Sequence, residues 1–260
     1  MLRSGLVSVT FRQLTPLQII GAVSQAGLES IEWGGDVHIP HGDQETARLV
    51  RSMTEDAGLL TSAYGSYYRV GYEAPGSFET VLETALTLGA TTIRVWAGRR
   101  GSKDADQAYR EMIVLESRRI ATLAQASGIV LAYEFHGNTL TDSNRSARDL
   151  LEAVGHNNMK IFWQPPNGKS HSYALAGLNA AAPWLANIHI FHWRVRGDDP
   201  DSIERLVLSA GESTWRPYLQ RLRGIEGDHF VSMEFVRGDS LKQFREDAEI
   251  LKIWLSQNAG

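Results

Sequence analysis

Along this 260-residue chain, eight short runs of β-branched and aromatic residues alternate with longer segments of helical period. No other feature limits the fold as strongly. The runs are GLVSVTF (5–11), SIEW (30–33), LLTSAY (59–64), TTIRVW (91–96), IVLAYEF (129–135), KIFWQ (160–164), NIHIFHW (187–193) and HFVSMEF (229–235). Helical patterns lie near 16–26, 43–57, 77–88, 103–127, 144–154, 172–181, 215–223 and 240–257. Pro16 in LTPLQII marks a helix start, and the glycines of SQAGLES, EDAGLL, TLGATT and QASGIV mark left-handed stops before the next strand. No proline- or serine-rich linker breaks the series, so the expected unit is one domain over 1–260. Eight uninterrupted βα units predict a single (β/α)8 TIM barrel of the α/β class, with a doubly wound open sheet as the weaker alternative.

Bulk properties exclude several function classes. The formal charge of −4 gives no global attraction to phosphate backbones, so nucleic acid is not an expected partner. With no cysteine, disulfides, thiolate metal sites and a cysteine nucleophile are ruled out. The opening MLRSGLVSVTFRQL has too short an apolar run for a signal peptide, and no later segment approaches membrane-spanning length. The expectation is a soluble cytoplasmic protein with no membrane partner. GRRGSK lacks the spacing of a phosphate-binding P-loop, and the first βα turn has no dinucleotide fingerprint.

In a barrel of this kind chemistry sits where the strands end. The polar residues at those ends are Glu32, Tyr64, Trp96, Glu134, Gln164, His189 with His192, and Glu234. Glu134, Gln164, His189 and Glu234 come from four consecutive strands and would form an arc at the barrel mouth. Two carboxylates, an imidazole and an amide oxygen suit a divalent cation, manganese or magnesium first, with zinc or cobalt as alternatives. Taken singly, a glutamate at a strand end is as readily an ion-pair or capping residue, and a lone strand histidine a hydrogen-bonded core residue. Two glutamates in otherwise apolar strands are harder to place that way, because a buried charge without a partner is costly.

AGLESIEW at the second strand and SMEF at the eighth resemble the xylose isomerase-like barrels, which include sugar epimerases, inosose dehydratases and endonuclease IV, over essentially the whole chain. The resemblance implies a metal held by Glu134, Gln164, His189 and Glu234, with Glu134 and Glu234 as the catalytic acid/base pair on opposite faces of a sugar. Where the family has Asp followed three residues later by His, this chain has Gln164 and Asn167, and His192 stands where the family often has Asp. An amide still coordinates through oxygen but brings no charge, so weaker ion binding is expected. His38, Trp96, His136, Asn167, His192 and Arg194 are the candidate substrate contacts. The expected activity is a divalent-metal-dependent isomerase or epimerase of a ketose or polyol, passing through an enediolate, with a related dehydratase as its nearest neighbour. The alternatives are a metal-poor, non-catalytic sugar-binding barrel, motivated by Gln164, and an endonuclease IV-like hydrolase, for which the ligand set is too short. The expected partner is a small sugar-like molecule, and pairing into a homodimer is left open.

Overall fold

The computed structural model describes residues 1–72, 77–197 and 202–257. Eight parallel strands close into a barrel in the order β1 (Leu2–Val7), β2 (Ser30–Gly34), β3 (Leu60–Arg69), β4 (Thr92–Trp96), β5 (Val130–Glu134), β6 (Met159–Trp163), β7 (Leu185–Ile190) and β10 (His229–Met233), which pairs back to β1. The helices between them are α1 (Pro16–Gln25), α2 (Gln44–Asp56), α3 (Ser77–Leu88), α4 (Gln107–Ala126), α5 (Asn144–Val154), α6 (His171–Ala181), α7 (Glu212–Arg223) and α8 (Leu241–Ser256). The expected (β/α)8 barrel is therefore the fold. Among the described residues no helix is long and apolar enough to cross a membrane.

The local signals act as the sequence suggests. Pro16 opens α1 behind Thr15, whose side chain and Gln18 form a reciprocal capping box. Gly27, Gly58, Gly89 and Gly128 each take a positive φ between helix and strand. Strand alternation then sorts the side chains. Ile93, Val95, Leu131, Tyr133, Ile161, Trp163, Ile188, Val231 and Met233 are fully or almost fully buried in the apolar core. Glu32, Arg94, Trp96, Glu134, Gln164, His189 and Glu234 share the opposite parity on their strands, which is the inward face. Below them the small side chains Ala63 and Ala132 pack with Phe162 in a separate apolar cluster.

Three strands depart from the expected runs by three residues or more at one end, each for an identifiable reason. The first strand ends at Val7, and Ser8–Phe11 form a 3-10 turn. There the Ser8 hydroxyl accepts the Gly34 N–H at 2.9 Å and contacts His38 Nδ1 at 2.9 Å, which turns the chain across the mouth. β3 runs on to Arg69 through a register shift against β4. The seventh strand ends at Ile190, and its aromatic tail instead starts an antiparallel hairpin, β8 (Trp193–Val195) with β9 (Ile203–Arg205). Trp193 stacks on the neighbouring Phe191 at 3.7 Å and lies 6.0 Å from Phe235 of a distant segment, which packs these two antiparallel strands over the end of the barrel's eighth strand.

Candidate metal centre and active site

Glu134 ends β5, His189 is the penultimate residue of β7, Glu234 follows β10 and Gln164 follows β6. One ligand atom from each of Glu134, His189 and Glu234 lies within 4.8 Å of the others, and all three side chains are buried. Gln164 completes the arc: its Oε1 is 3.1 Å from His189 Nδ1, while its Nε2 donates to the Phe135 carbonyl at 2.9 Å. The backbone thus orients the amide oxygen inward. All four expected ligands meet at one place.

His189 Nε2 lies 2.9 Å from Glu32 Oε2, which leaves Nδ1 facing Gln164, Glu134 Oε1 at 3.8 Å and Glu234 Oε2 at 3.6 Å. An imidazole whose outer nitrogen is held by a carboxylate is the usual way to fix the ring of a metal-binding histidine. The Arg94 guanidinium, 1% exposed, donates Nε to Glu32 Oε1 at 2.6 Å and Nη1 to Glu134 Oε2. Trp96 Nε1 donates to that same oxygen at 2.5 Å. Three carboxylates against one guanidinium leave two negative charges, which match a divalent cation. The donor set of oxygens and one imidazole nitrogen fits the same class.

The surroundings make the carboxylates unequal. Burial alone would raise Glu32, but the charges of Arg94 and His189 and their hydrogen bonds outweigh it and hold the group at about 2. Glu134 is likewise lowered, against its burial, by Arg94 first and then by His136, His189 and the Trp96 N–H. Glu234 is raised, by burial and by its carboxylate neighbours Glu134 and Glu32, although His189 and Arg94 pull the other way. His189 is raised despite its burial, because Glu32 and Glu234 favour its charged form.

Around this centre Trp96 lies between the Arg69 guanidinium, 3.8 Å from its ring centroid, and the His136 ring, stacked at 4.7 Å. Tyr67 covers the other side, its ring 5.3 Å from the Arg94 guanidinium and edge-on to Trp96 at 5.4 Å. Tyr67 has φ of +57°, a left-handed conformation that a tyrosine adopts only when its surroundings impose it.

The other expected substrate contacts scatter. Trp96 and His136 border the cluster. His38 is buried against Ser8 and edge-on to Trp33 at 6.0 Å. Asn167 is exposed in the turn after the two prolines. His192 packs against Gly211, where a Cβ would come within 2.8 Å of its Nδ1. Arg194 lies on the hairpin with its guanidinium bonded to Glu204. Arg94 carries no expectation from the sequence and Glu32 only that of a polar strand end, whereas Tyr67 lies in YGSYYRVGY, a stretch whose aromatics together with Trp96 are expected to offer a wall for a sugar ring. Arg94 had a readable signal, since a lone cation between Ile93 and Val95 needs a buried anion.

A closed parallel barrel whose mouth gathers two glutamates, a histidine and a glutamine from strands five to eight presents a buried donor set that could hold a metal ion. The family model for the xylose isomerase-like TIM barrel matches residues 20–254, and the chain belongs to that family. It is 26% identical over 205 residues to a 3-dehydroshikimate dehydratase of Bacillus anthracis, covering 72% of this chain and 71% of that one. Among solved structures, the probable 3-DHS dehydratase AsbF of Bacillus anthracis superposes with a TM-score of 0.81 at 22% identity, over 97% of this chain and 99% of that one. A xylose isomerase-like barrel of Mycobacterium smegmatis in complex with magnesium does so at 0.73 and 18% identity, over 98% and 97%.

Proposed function

We propose that this chain is a divalent-metal-dependent enzyme that removes a proton next to the carbonyl of a small polyhydroxylated compound. The observation that carries this reading is the convergence of Glu134, His189 and Glu234 on one buried point, with the Gln164 oxygen beside them. Gln164, His189 Nδ1, Glu134 Oε1 and Glu234 would hold the ion. A manganese or magnesium ion there supplies Lewis-acid stabilisation of the negative charge that develops on a carbonyl oxygen. The magnesium complex of the similar mycobacterial barrel supports such a site.

The protein's own residues divide the proton work unequally. Glu134 has one oxygen committed to Arg94 and Trp96. Glu234 Oε2 lies 3.6 Å from His189 Nδ1 and, among the described residues, takes no guanidinium or indole hydrogen bond; its raised proton affinity suits a group that takes a proton from carbon. Epimerisation needs a second carrier on the opposite face, the role expected of Glu134. Loss of water needs one: Glu234 accepts the α-proton, the C–H pair forms the enolate, and the enolate pair then forms the C=C bond as the β C–O bond breaks, the departing oxygen taking the proton from Glu234 to leave as water. The unequal carboxylates favour the dehydratase outcome over the isomerase or epimerase, and the activity of the Bacillus anthracis relative supports it. Trp96 and His136 would face the substrate ring. A cytoplasmic location and pairing of two copies belong to the same reading, the latter checked by light scattering.

The test is the manganese-loaded chain assayed in D2O against 3-dehydroshikimate and a panel of ketoses. Water loss, or deuterium uptake at the α-carbon, is expected for one of them. Glu234→Gln should lower that rate by about 10²–10⁴-fold. No exchange into any compound by the loaded chain would leave the reading as a non-catalytic sugar-binding barrel.

A further inference from the structure

We propose that Arg94 is a positioning residue that holds two of the ion ligands from behind. The inference rests on the reading of the mouth as a divalent-ion site, and it assigns a role to a buried cation that the proton-transfer chemistry does not use. Four side chains form one chain of contacts: Glu134 Oε2 to Arg94 Nη1, Arg94 Nε to Glu32 Oε1 at 2.6 Å, and Glu32 Oε2 to His189 Nε2 at 2.9 Å. Both ends of that chain are ligands. Each is held by the atom that faces away from the site, so Glu134 Oε1 and His189 Nδ1, 3.8 Å apart, are left toward it.

Two further observations make this a built feature. At Gly65 on β3 a Cβ would lie 2.7 Å from Arg94 Nη2 and 2.9 Å from Glu32 Oε1, so that position is open only because it lacks a side chain. Arg94 is also 1% exposed beneath the Tyr67 ring, which seals it from solutes at the mouth and argues for an internal role over direct substrate contact. Only a planar guanidinium spans two carboxylates in this way. An ammonium at the same place keeps the charge and loses the geometry.

The experiment measures Mn²⁺ affinity of the full chain by the electron paramagnetic resonance signal of free Mn²⁺, with circular dichroism to verify folding. Arg94→Met and Arg94→Lys are each expected to bind Mn²⁺ about 10–100-fold more weakly than the natural chain. Equal or tighter binding by folded Arg94→Met would overturn the proposal, because Arg94 would then act only as an opposing charge. Full affinity in Arg94→Lys would overturn it as well. Should Arg94→Met not fold, Gly65→Ala keeps every charge while displacing the guanidinium, and unchanged affinity there is equally fatal. If the natural chain bound no Mn²⁺, the ion-site reading would fall. The positioning role would still be read from the ¹⁵N shifts of the His189 imidazole, which Arg94→Met must move by releasing Glu32, and unmoved shifts would refute it.

Discussion

Gln164 has a neutral amide where the family resemblance leads one to expect an acid, and the structure gives that amide a defined orientation, Nε2 on the Phe135 carbonyl and Oε1 toward His189. Gln164→Asp restores a charged ligand and is expected to tighten Mn²⁺ binding by about tenfold, measured by titration of free Mn²⁺. A second expectation at this scale concerns Glu32. Its folded value of about 2 lies below the usual 4.5, so its pairing with Arg94 and His189 stabilises the ion-free fold above pH 4.5 and is lost as pH falls toward 2. The stability gap between the natural chain and Glu32→Gln in urea unfolding should therefore be full at pH 6 and shrink between 4.5 and 2. A gap independent of pH would contradict the pairing. Glu134, Gln164, His189 and Glu234 were legible as a set because polar groups at the ends of apolar strands are costly without a purpose. Arg94 obeys the same logic in TTIRVW, yet its partners come from β2 and β5, and nothing in the local spacing names them.

At the level of elements, strands and helices follow from local chemistry: β-branched alternation, side-chain caps and glycine stops. Gly128 shows how local this is, with φ of +72° and nothing within 4 Å of where a Cβ would sit. Gly128→Ala should cost about 1–2 kcal/mol through backbone strain alone, read from denaturant unfolding, with Mn²⁺ affinity unchanged. The boundaries that sequence missed are set by side-chain contacts, most of them distant in sequence. Ser8 stops β1 because it bonds Gly34 and His38, and the hairpin after β7 exists because Trp193 stacks on Phe191 and lies near Phe235. His189 faces the site because β7 is still a strand at that residue. His192 follows the end of the strand and turns to Gly211.

For the whole molecule, the closed barrel is what makes residues 134, 164, 189 and 234 neighbours, since no two of them are close in sequence. The same closure brings Glu32 157 residues along the chain to His189. Ion binding should weaken as pH is lowered, because His189 and Glu234, both with raised proton affinity, must lose their protons to act as ligands. One divalent cation is expected at the mouth among these four residues. Crystals soaked in Mn²⁺ and measured at the manganese edge test it most directly. A single anomalous peak is expected about 2.0–2.3 Å from Glu134 Oε1, His189 Nδ1, Glu234 and Gln164 Oε1. No peak at the mouth, or one that bypasses His189 Nδ1, would contradict it.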